Sequence, residues 1–202
     1  MKASLNKQEL KELGLKSYGK NVLISRKASI YNPQNISIGD NVRIDDFVIL
    51  SSSSELNIGS YVHISCYVSI LGKGKVTLED FSGLSGRVSV YSSNDDYLGR
   101  GMTNPTVPDE YKKVTHGDVL IKKHAIVGSG SVILPNTTLN DGVAIGALSL
   151  AQGEYESFSI YIGSPAEKKG RRRKTILDIE KKLMETLKTK NHFLWDGQSL
   201  DL

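Results

Sequence analysis

Aliphatic residues recur at every sixth position along most of this 202-residue chain. Between residues 124 and 150 the repeat consists of Val127, Ile133, Leu139 and Ile145, and similar triplets precede it. Six steps along an α-helix would place successive aliphatic side chains about 120° apart, whereas six steps along a β-strand return to the same face. The spacing therefore predicts short strands whose aliphatic side chains point into a common interior.

A second column of small or β-branched residues supports this prediction. These residues stand four positions after most of the aliphatics, as Val48 and Ser131 do. Glycine, asparagine and aspartate between the segments favour corners, so three segments make one triangular coil. The spacing widens to eight between Ile30 and Ile38 and at the same point of the next two coils. About six coils, stacked at roughly the 4.8 Å spacing of neighbouring strands, are predicted to form an all-β prism.

Both ends of the repeat are predicted to be helical. Ser4 to Leu13 fits a short capping helix with Ser4 as its N-cap, and residues 175–190 carry an apolar stripe typical of an amphipathic helix that packs on protein. The tail after this helix contains Phe193 and Trp195, which are also expected to dock on protein. These features divide the chain into an N-terminal helix (1–15), a repeat domain (16–170) with an inserted loop (91–118), and a C-terminal segment (171–202).

The charge of the chain is concentrated in one place. The formal net charge is +4, and residues 168–174 are basic except for Gly170. A local anion site explains such a cluster better than a general affinity for nucleic acid. No apolar run approaches the roughly 18 residues that a membrane span needs, and the charged N-terminus lacks the pattern of a secretory signal, so we expect a cytoplasmic protein. Cys66 is the only cysteine, which excludes an internal disulfide.

The repeat resembles that of the hexapeptide-repeat acyltransferases, whose fold is a left-handed parallel β-helix. The resemblance rests on the six-residue period over about residues 16–170 and on the pairs Ile38-Gly39 and Ile145-Gly146. Among these enzymes the chain is most similar to bacterial sugar acetyltransferases of the galactoside and polysaccharide-modifying type. The resemblance implies acetyl-CoA as co-substrate, a homotrimer with sites between subunits, and a sugar or nucleotide-linked amino sugar of surface polysaccharide (lipopolysaccharide or capsule) biosynthesis as acceptor.

The inserted loop is the largest departure from the repeat, and long excursions of this kind are often functional. In the family this loop helps to form the acceptor site and carries a histidine that acts as general base. Asp95 stands at that position here. The resemblance therefore makes Asp95 a catalytic candidate, together with two histidines, His116 and His63. The loop residues expected at the acceptor are Asn94, Asp96 and Tyr97.

The family also binds the pantetheine arm of CoA along the coils. The corresponding small residues here are Gly128, Ser129, Gly146 and Ala147. Residues 163–166 match the terminal Gly-x-Pro-Ala turn of the family, after which cations meet the CoA phosphates. The candidates for these cations are Lys168, Lys169, Arg171 and Arg172.

Several alternatives remain open on the sequence. The prism is shared with zinc-dependent carbonic anhydrases, but the four histidines lack the close pairing of a zinc site, so no metal is expected. The acceptor atom is either oxygen or nitrogen, and the general base is any one of the three candidates. Acetylation of another small acceptor, such as an antibiotic or serine, and a non-catalytic trimeric scaffold are the competing functions.

Overall fold

The computed structural model describes residues 4–190, with side chains through residue 188. The predicted tail with Phe193 and Trp195 lies outside the described residues. The chain winds into a parallel β-helix of triangular cross-section. The strands of one coil pair in register with those of the next, as Ser37 does with Asn57 and Arg43 does with His63. The predicted all-β prism is therefore confirmed, and the six complete coils are followed by two sides of a seventh.

Three parallel sheets form the faces of the prism. The first face contains β1 (Ser17–Tyr18), β4 (Ile36–Ile38), β7 (Leu56–Ile58), β10 (Val76–Leu78), β15 (Val119–Ile121), β18 (Thr137–Leu139) and β21 (Glu154–Tyr155). The second contains β2 (Leu23–Ile24), β5 (Arg43–Ile44), β8 (His63–Ile64), β11 (Gly83–Leu84), β16 (Ile126–Val127), β19 (Ala144–Ile145), β22 (Ser159–Ile162) and the antiparallel β23 (Glu167–Arg171). The third contains β3 (Ser29–Tyr31), β6 (Ile49–Ser52), β9 (Ser69–Gly72), β12 (Ser89–Tyr91), β17 (Val132–Ile133) and β20 (Leu150–Ala151).

The interior of the prism consists of the two predicted columns. Ile64, Leu84 and Ile133 are among the fully buried aliphatics, which fill the inside of successive coils. The second column is buried as well, including Ser131. Its hydroxyl donates to the carbonyl of Gly146 at 2.8 Å, so the polar group is satisfied inside the prism. Burial of these columns supplies the main favourable term in folding.

The three corners of the prism differ in the residues that form them. The helix corner joins the first face to the second and includes residues 59–62, 79–82 and 122–125. The serine corner joins the second face to the third and includes residues 45–48, 65–68, 85–88, 128–131 and 146–149. The loop corner joins the third face to the first. The inserted loop leaves there after β12, forms the antiparallel pair β13 (Ser93–Asn94) and β14 (Thr115–His116), and contains a 3-10 turn at Asp109–Tyr111.

Aromatic residues occupy several corner positions with left-handed backbone. Tyr61 and Phe81 have φ near 59° at the helix corner, and Phe47 and Tyr67 have φ near 60° at the serine corner. Bulky residues are uncommon in this region, where glycine and asparagine are the usual occupants. The rings stack with residues of neighbouring coils, with centroids 4.7 Å apart for the first pair and 5.0 Å for the second. Stacking along the corner stabilises residues whose backbone geometry alone is unfavourable.

The first helix lies at the N-terminal end of the prism, and the second lies against its helix corner. The first, α1, spans Lys7–Glu12, and its N-cap is Asn6, whose side chain accepts hydrogen bonds from the backbone N–H groups of Gln8 and Glu9. The prediction of Ser4 as N-cap was wrong, because Ser4 pairs in a β-bridge with Ser25 instead. The second helix, α2, spans Thr175–Lys190, as predicted.

Candidate active site

The serine corner brings together four of the eight predicted cofactor residues. Ser85, Gly128 and Gly146 occupy equivalent positions in three successive coils. The backbone N–H of each donates to a carbonyl oxygen of a second-face strand in the next coil: Ser85 to Val127, Gly128 to Ile145, and Gly146 to Tyr161. Ser129 and Ala147 follow the glycines and are both exposed. The sequence interpretation named the four residues of the later coils and did not name Ser85, which occupies the equivalent position one coil earlier. Superposing the coils by their repeat identifies this equivalence.

The two glycines of this column are required by the packing of the coils. A Cβ on Gly128 would lie 2.5 Å from the backbone nitrogen of Ala147, and a Cβ on Gly146 would lie 2.7 Å from the side chain of Ile162. Their small size therefore lets one coil approach the next. The surface that remains open to a ligand is formed by the exposed residues beside them, Ser129 and Ala147.

The serine corner continues into the basic segment. The turn at residues 163–166 lies above Gly146 and is held there by hydrogen bonds between Leu150 and both Gly163 and Ala166. The chain then returns as β23, which pairs antiparallel with β22 at the end of the second face. The corner and the basic strand therefore form one continuous surface.

The four predicted cations have different partners. Lys168 forms an ion pair with Glu156 at 2.5 Å, and Lys169 forms one with Glu167 at 3.1 Å. Arg172 donates to the carbonyl of His124 at 2.7 Å and to that of Gly142 at 3.2 Å. Burial lowers the pKa of its guanidinium. Arg171 is exposed, as Lys168 and Lys169 are, but among residues 4–190 no hydrogen bond or ion pair of its side chain is recorded.

The two neighbouring aspartates of the inserted loop have different environments. Asp96 is buried, and its carboxylate accepts from the N–H groups of Leu98 and Gly101 at 3.2 and 3.0 Å, and from Arg100. Burial acts to raise the pKa of Asp96, but these hydrogen bonds outweigh it and hold the pKa below its usual value. Asp96 therefore orders the loop. Asp95 is half-buried, and only a long contact of 3.5 Å with the N–H of Asn104 is recorded for its carboxylate.

The other predicted loop residues lie near the base of the loop. Asn94 pairs with Thr115 between β13 and β14, and Tyr97 is 85% exposed. His116 is exposed, and its Nδ1 lies 2.7 Å from the hydroxyl of Ser93. These residues share the loop corner with Asp95, at the opposite edge of the third face from Ser85.

His63 lies on the outside of the second face, next to the serine corner. Its Nε2 lies 2.8 Å from Oδ2 of Asp45, while Oδ1 of Asp45 accepts from Nε of Arg43 at 2.6 Å. The Asp45 side chain is 2% exposed and that of His63 is 52% exposed. The sequence interpretation found His63 but missed the buried carboxylate behind it, because Asp45 stands at a corner position where aspartate is common.

Comparison with known proteins connects this geometry to a family. A curated dTDP-4-amino-4,6-dideoxy-D-glucose acyltransferase of Escherichia coli is 50% identical over 179 residues, which cover 88% of this chain and 93% of that protein. No family model matches the chain. The identity extends over nearly the whole of both proteins and settles the relationship. The chain belongs to the hexapeptide-repeat acyltransferases.

Solved structures agree with this assignment. AntD, an N-acyltransferase from Bacillus cereus in complex with dTDP and 3-hydroxybutyryl-CoA, is 43% identical, with a TM-score of 0.90 over 94% of this acyltransferase and 100% of that chain. Other AntD structures carry replacements of one aspartate or one serine. A maltose O-acetyltransferase from Clostridium difficile 630 shares the fold, with a TM-score of 0.56 and 17% identity over 83% of this chain and 75% of its own.

A cluster at the helix corner connects α2 of the acyltransferase to the prism. Glu180 lies 2.6 Å from Nζ of Lys123 and 2.8 Å from Nε2 of His124, which is buried and stacked on Phe81. Burial acts to raise the pKa of Glu180, but the hydrogen bonds to Lys123 and His124 outweigh it and lower the pKa. The apolar stripe of α2 contributes less to this contact with the prism than the sequence predicted, because the Ile179 side chain is 61% exposed.

We expect the docking of α2 to weaken in acid. The pKa of Glu180 is lower in the folded state than its ordinary value near 4.5. The ionised carboxylate therefore stabilises the folded state fully above pH 4.5, and this stabilisation is lost as the pH falls through the pKa of the folded state. In Glu180→Gln the amide-exchange protection of α2 should already be reduced at neutral pH, and its acid dependence should largely vanish. Lys181→Gln, an exposed change on the same helix, is the control. Unchanged protection in Glu180→Gln would contradict the assigned anchor.

The acyltransferase also has an open groove of about 480 Å³ on its first face, lined by polar residues that include Asn57, Thr77 and Asp80. None of the predicted site residues lines it. Among residues 4–190, no cluster of histidine, cysteine or acidic side chains has a metal-binding arrangement. Within the same range, no helix is long and apolar enough to cross a membrane.

Proposed function

We propose that the chain transfers an acetyl group from acetyl-CoA to the 4-amino group of dTDP-4-amino-4,6-dideoxyglucose. The observation that carries this proposal is the 50% identity, over almost all of both chains, to the curated acyltransferase named for that sugar. AntD supports nitrogen as the acceptor atom and CoA as the carrier, since it is an N-acyltransferase with structures that contain CoA and the same nucleotide sugar.

The thioester would lie along the serine corner. Ser129 and Ala147 are exposed in two successive coils, and the basic strand β23 follows at the C-terminal end of the same corner. Three coil spacings of about 4.8 Å separate Ser85 from the last coil, a distance of roughly 14 Å along the prism. The thiol end of CoA would then lie near Ser85 and its phosphates near Arg171. Lys168, Lys169 and Arg172 would add positive charge while they keep their protein contacts.

Asp95 would hold the acceptor. The serine and the aspartate that were replaced in AntD are ten positions apart in its chain, and Ser85 and Asp95 have the same separation here. A carboxylate suits a cationic amino sugar, because it pairs with the ammonium and orients it. Asn94 and Tyr97 would contact the sugar nucleotide, Asp96 would order the loop around them, and His116 and His63 are the candidates to take a proton.

Two features favour a homotrimer with sites between subunits. Ser85 and Asp95 lie at opposite edges of the third face, about 15 Å apart by strand rise, so their short side chains do not meet within one chain. The serine corner is also a convex edge of the prism, whereas ligand sites are concave. A second copy whose loop corner faces this serine corner would bring Ser85 and Asp95 together in a concave site, and closure of three such contacts into a ring gives a trimer.

The setting of the reaction follows from its substrates. CoA thioesters and nucleotide sugars are cytoplasmic metabolites, so we place the enzyme in the cytoplasm. WbbJ of Escherichia coli strain K12, named for a proposed O-acetyl transfer in lipopolysaccharide biosynthesis, is 25% identical over 65% of this chain and 58% of its own. This similarity favours a part in surface polysaccharide biosynthesis.

An acceptor panel tests the proposal. With acetyl-CoA as donor, release of free thiol should show a kcat/KM for the dTDP-linked 4-amino sugar at least about 100-fold above that for UDP- and GDP-linked amino sugars and simple galactosides. The same sugar with a 4-hydroxyl in place of the amine is the matched control for nitrogen transfer. Preference for a galactoside, an antibiotic or serine would overturn the proposal. Failure to bind CoA in calorimetry would favour the scaffold.

A further inference from the structure

The imidazole of His63 is oriented by a carboxylate that solvent barely reaches. Both oxygens of Asp45 are engaged, one 2.8 Å from Nε2 of His63 and the other accepting from Arg43 at 2.6 Å. Because an ionised carboxylate only accepts hydrogen bonds, it fixes the proton of the neutral imidazole on Nε2. The other ring nitrogen, Nδ1, then carries a lone pair. Within residues 4–190, no hydrogen bond to this nitrogen is recorded.

Open space adjoins this imidazole on the side of Ser85. His63 is in register with Gly83 on the next strand, and a Cβ placed on Gly83 would meet nothing closer than the His63 carbonyl oxygen at 3.9 Å. Ser85 stands two residues further along and points to the same outer side. Strand spacing and rise place the Cα atoms of His63 and Ser85 about 8 Å apart, which leaves room for one small group between their side chains.

We propose that His63 accepts the proton which the acceptor ammonium must lose, and that Asp45 is the positioning residue for this step. The proposal rests on the function proposed above. Nδ1 takes one proton from the ammonium, which leaves a neutral amine. The amine nitrogen then forms a bond to the thioester carbonyl carbon, and the C–S bond breaks. The second proton of the nitrogen passes to the departing sulfur, giving an amide and free CoA thiol, and the exposed imidazolium returns its proton to solvent.

Within the described part of the chain, the imidazole has a single acidic side chain in contact with it. Between the helix corner and the serine corner, the charged residues of the two flanking coils are Asp40, Arg43, Asp45 and Asp46 in the β5 coil, and Glu79, Asp80 and Arg87 in the β11 coil. The guanidinium of Arg87 lies over the ring of Tyr67, 5.1 Å from its centroid. The Asp45 carboxylate is therefore the acidic group in direct contact with His63, and its removal is a specific test.

A neighbouring aspartate provides a matched control. Asp46 is also buried at the serine corner and pairs with a cation, Lys27, at 2.6 Å, but its other recorded partner is Ser25 rather than a histidine. Asp45→Asn should lower kcat for the amino sugar by about 10- to 100-fold with little change in either KM, because the imidazole loses its fixed tautomer. Asp46→Asn should cost comparable stability and leave kcat within about twofold of the wild-type value.

Two further measurements separate a catalytic role from a structural one. His63→Ala should lower kcat by about 10²- to 10³-fold, and added imidazole should restore part of the activity, since the site is open to solvent. Nitrogen-15 NMR of the histidine ring should show an unprotonated Nδ1 in the wild type and a mixture of tautomers in Asp45→Asn. Equal kcat in Asp45→Asn and Asp46→Asn, or His63→Ala at full activity, would overturn the proposal.

The NMR measurement needs no acceptor, so it keeps this inference testable on its own. If the wild type acylates a different amine, the kinetic comparison is repeated with that amine, and only the proposed acceptor is lost. If the wild type acts on the dTDP-linked sugar and the Asp45 variants are unaffected, the inference about Asp45 and His63 fails alone.

Discussion

Asp95→Asn is expected to lower kcat/KM for the amino sugar by about 10²- to 10⁴-fold, because the ammonium then lacks the carboxylate that orients it beside the thioester. The carboxylate has only one long contact with the rest of the loop, so its loss should not disturb the fold. Steady-state kinetics with release of free thiol, together with a melting curve, measures both effects. Asp96→Asn provides the contrast. It should lower the melting temperature as well as the activity, since Asp96 holds three backbone N–H groups of the loop.

Mixed assemblies test whether Asp95 acts across a subunit boundary. Ser85→Ala and Asp95→Asn chains, carrying different tags, would be co-expressed and purified through both tags. Every trimer that carries both tags contains two chains of one kind and one of the other, so about one site in three combines a native Ser85 with a native Asp95 from the adjacent chain. These trimers should recover about a third of the wild-type activity. Mixtures of Asp95→Asn with Asp95→Ala should stay inactive, and inactivity of the first mixture would place the site within one chain.

Filling the serine corner is expected to abolish donor binding. Ala147 is exposed, so Ala147→Trp should fold normally, while the indole occupies the surface along which the pantetheine arm is proposed to lie. The dissociation constant for CoA should rise by at least about 100-fold in calorimetry, the effect of losing several good contacts at once. Asp141→Trp, an exposed change in the same coil at the helix corner, should leave CoA binding and the melting temperature unchanged. Tight binding to Ala147→Trp would move the donor site elsewhere.

The repeat made the fold predictable. Every sixth residue faces inward in a strand, so a column such as Val127, Ile133, Leu139 and Ile145 is incompatible with a helix and sufficient for a triangular coil. The same pattern marked the inserted loop as the break between coils. The apolar stripe after residue 174 placed α2 at its observed bounds. The N-terminal helix was predicted less well, since Asn6 and Ser4 are both good N-caps and only the pairing of Ser4 with Ser25 decides between them.

The candidate site was less predictable, because its residues meet through the stacking of coils. Asp45 and His63 are 18 positions apart and touch only because consecutive coils are in register. Glu180 reaches His124 across 56 positions of sequence. Asp95 and Asp96 are adjacent and look alike in the sequence. Their contacts with the loop backbone distinguish them, because N–H groups of the loop hold the Asp96 carboxylate, whereas that of Asp95 is free to bind an acceptor.

The sequence by itself determined the parallel coils, the position of the loop and the concentration of positive charge near the C-terminus, because these follow from local spacing and composition. The tertiary structure alone decided which residues line the serine corner together, since registry between coils assembles Ser85, Gly128 and Gly146 into one column. It also decided which polar groups are already satisfied. Asp96 is engaged by backbone N–H groups of its own loop, and Arg172 by backbone carbonyls 48 and 30 positions away, whereas Arg171 and Asp95 remain accessible. The partners of Arg172 belong to other coils, which no local pattern specifies.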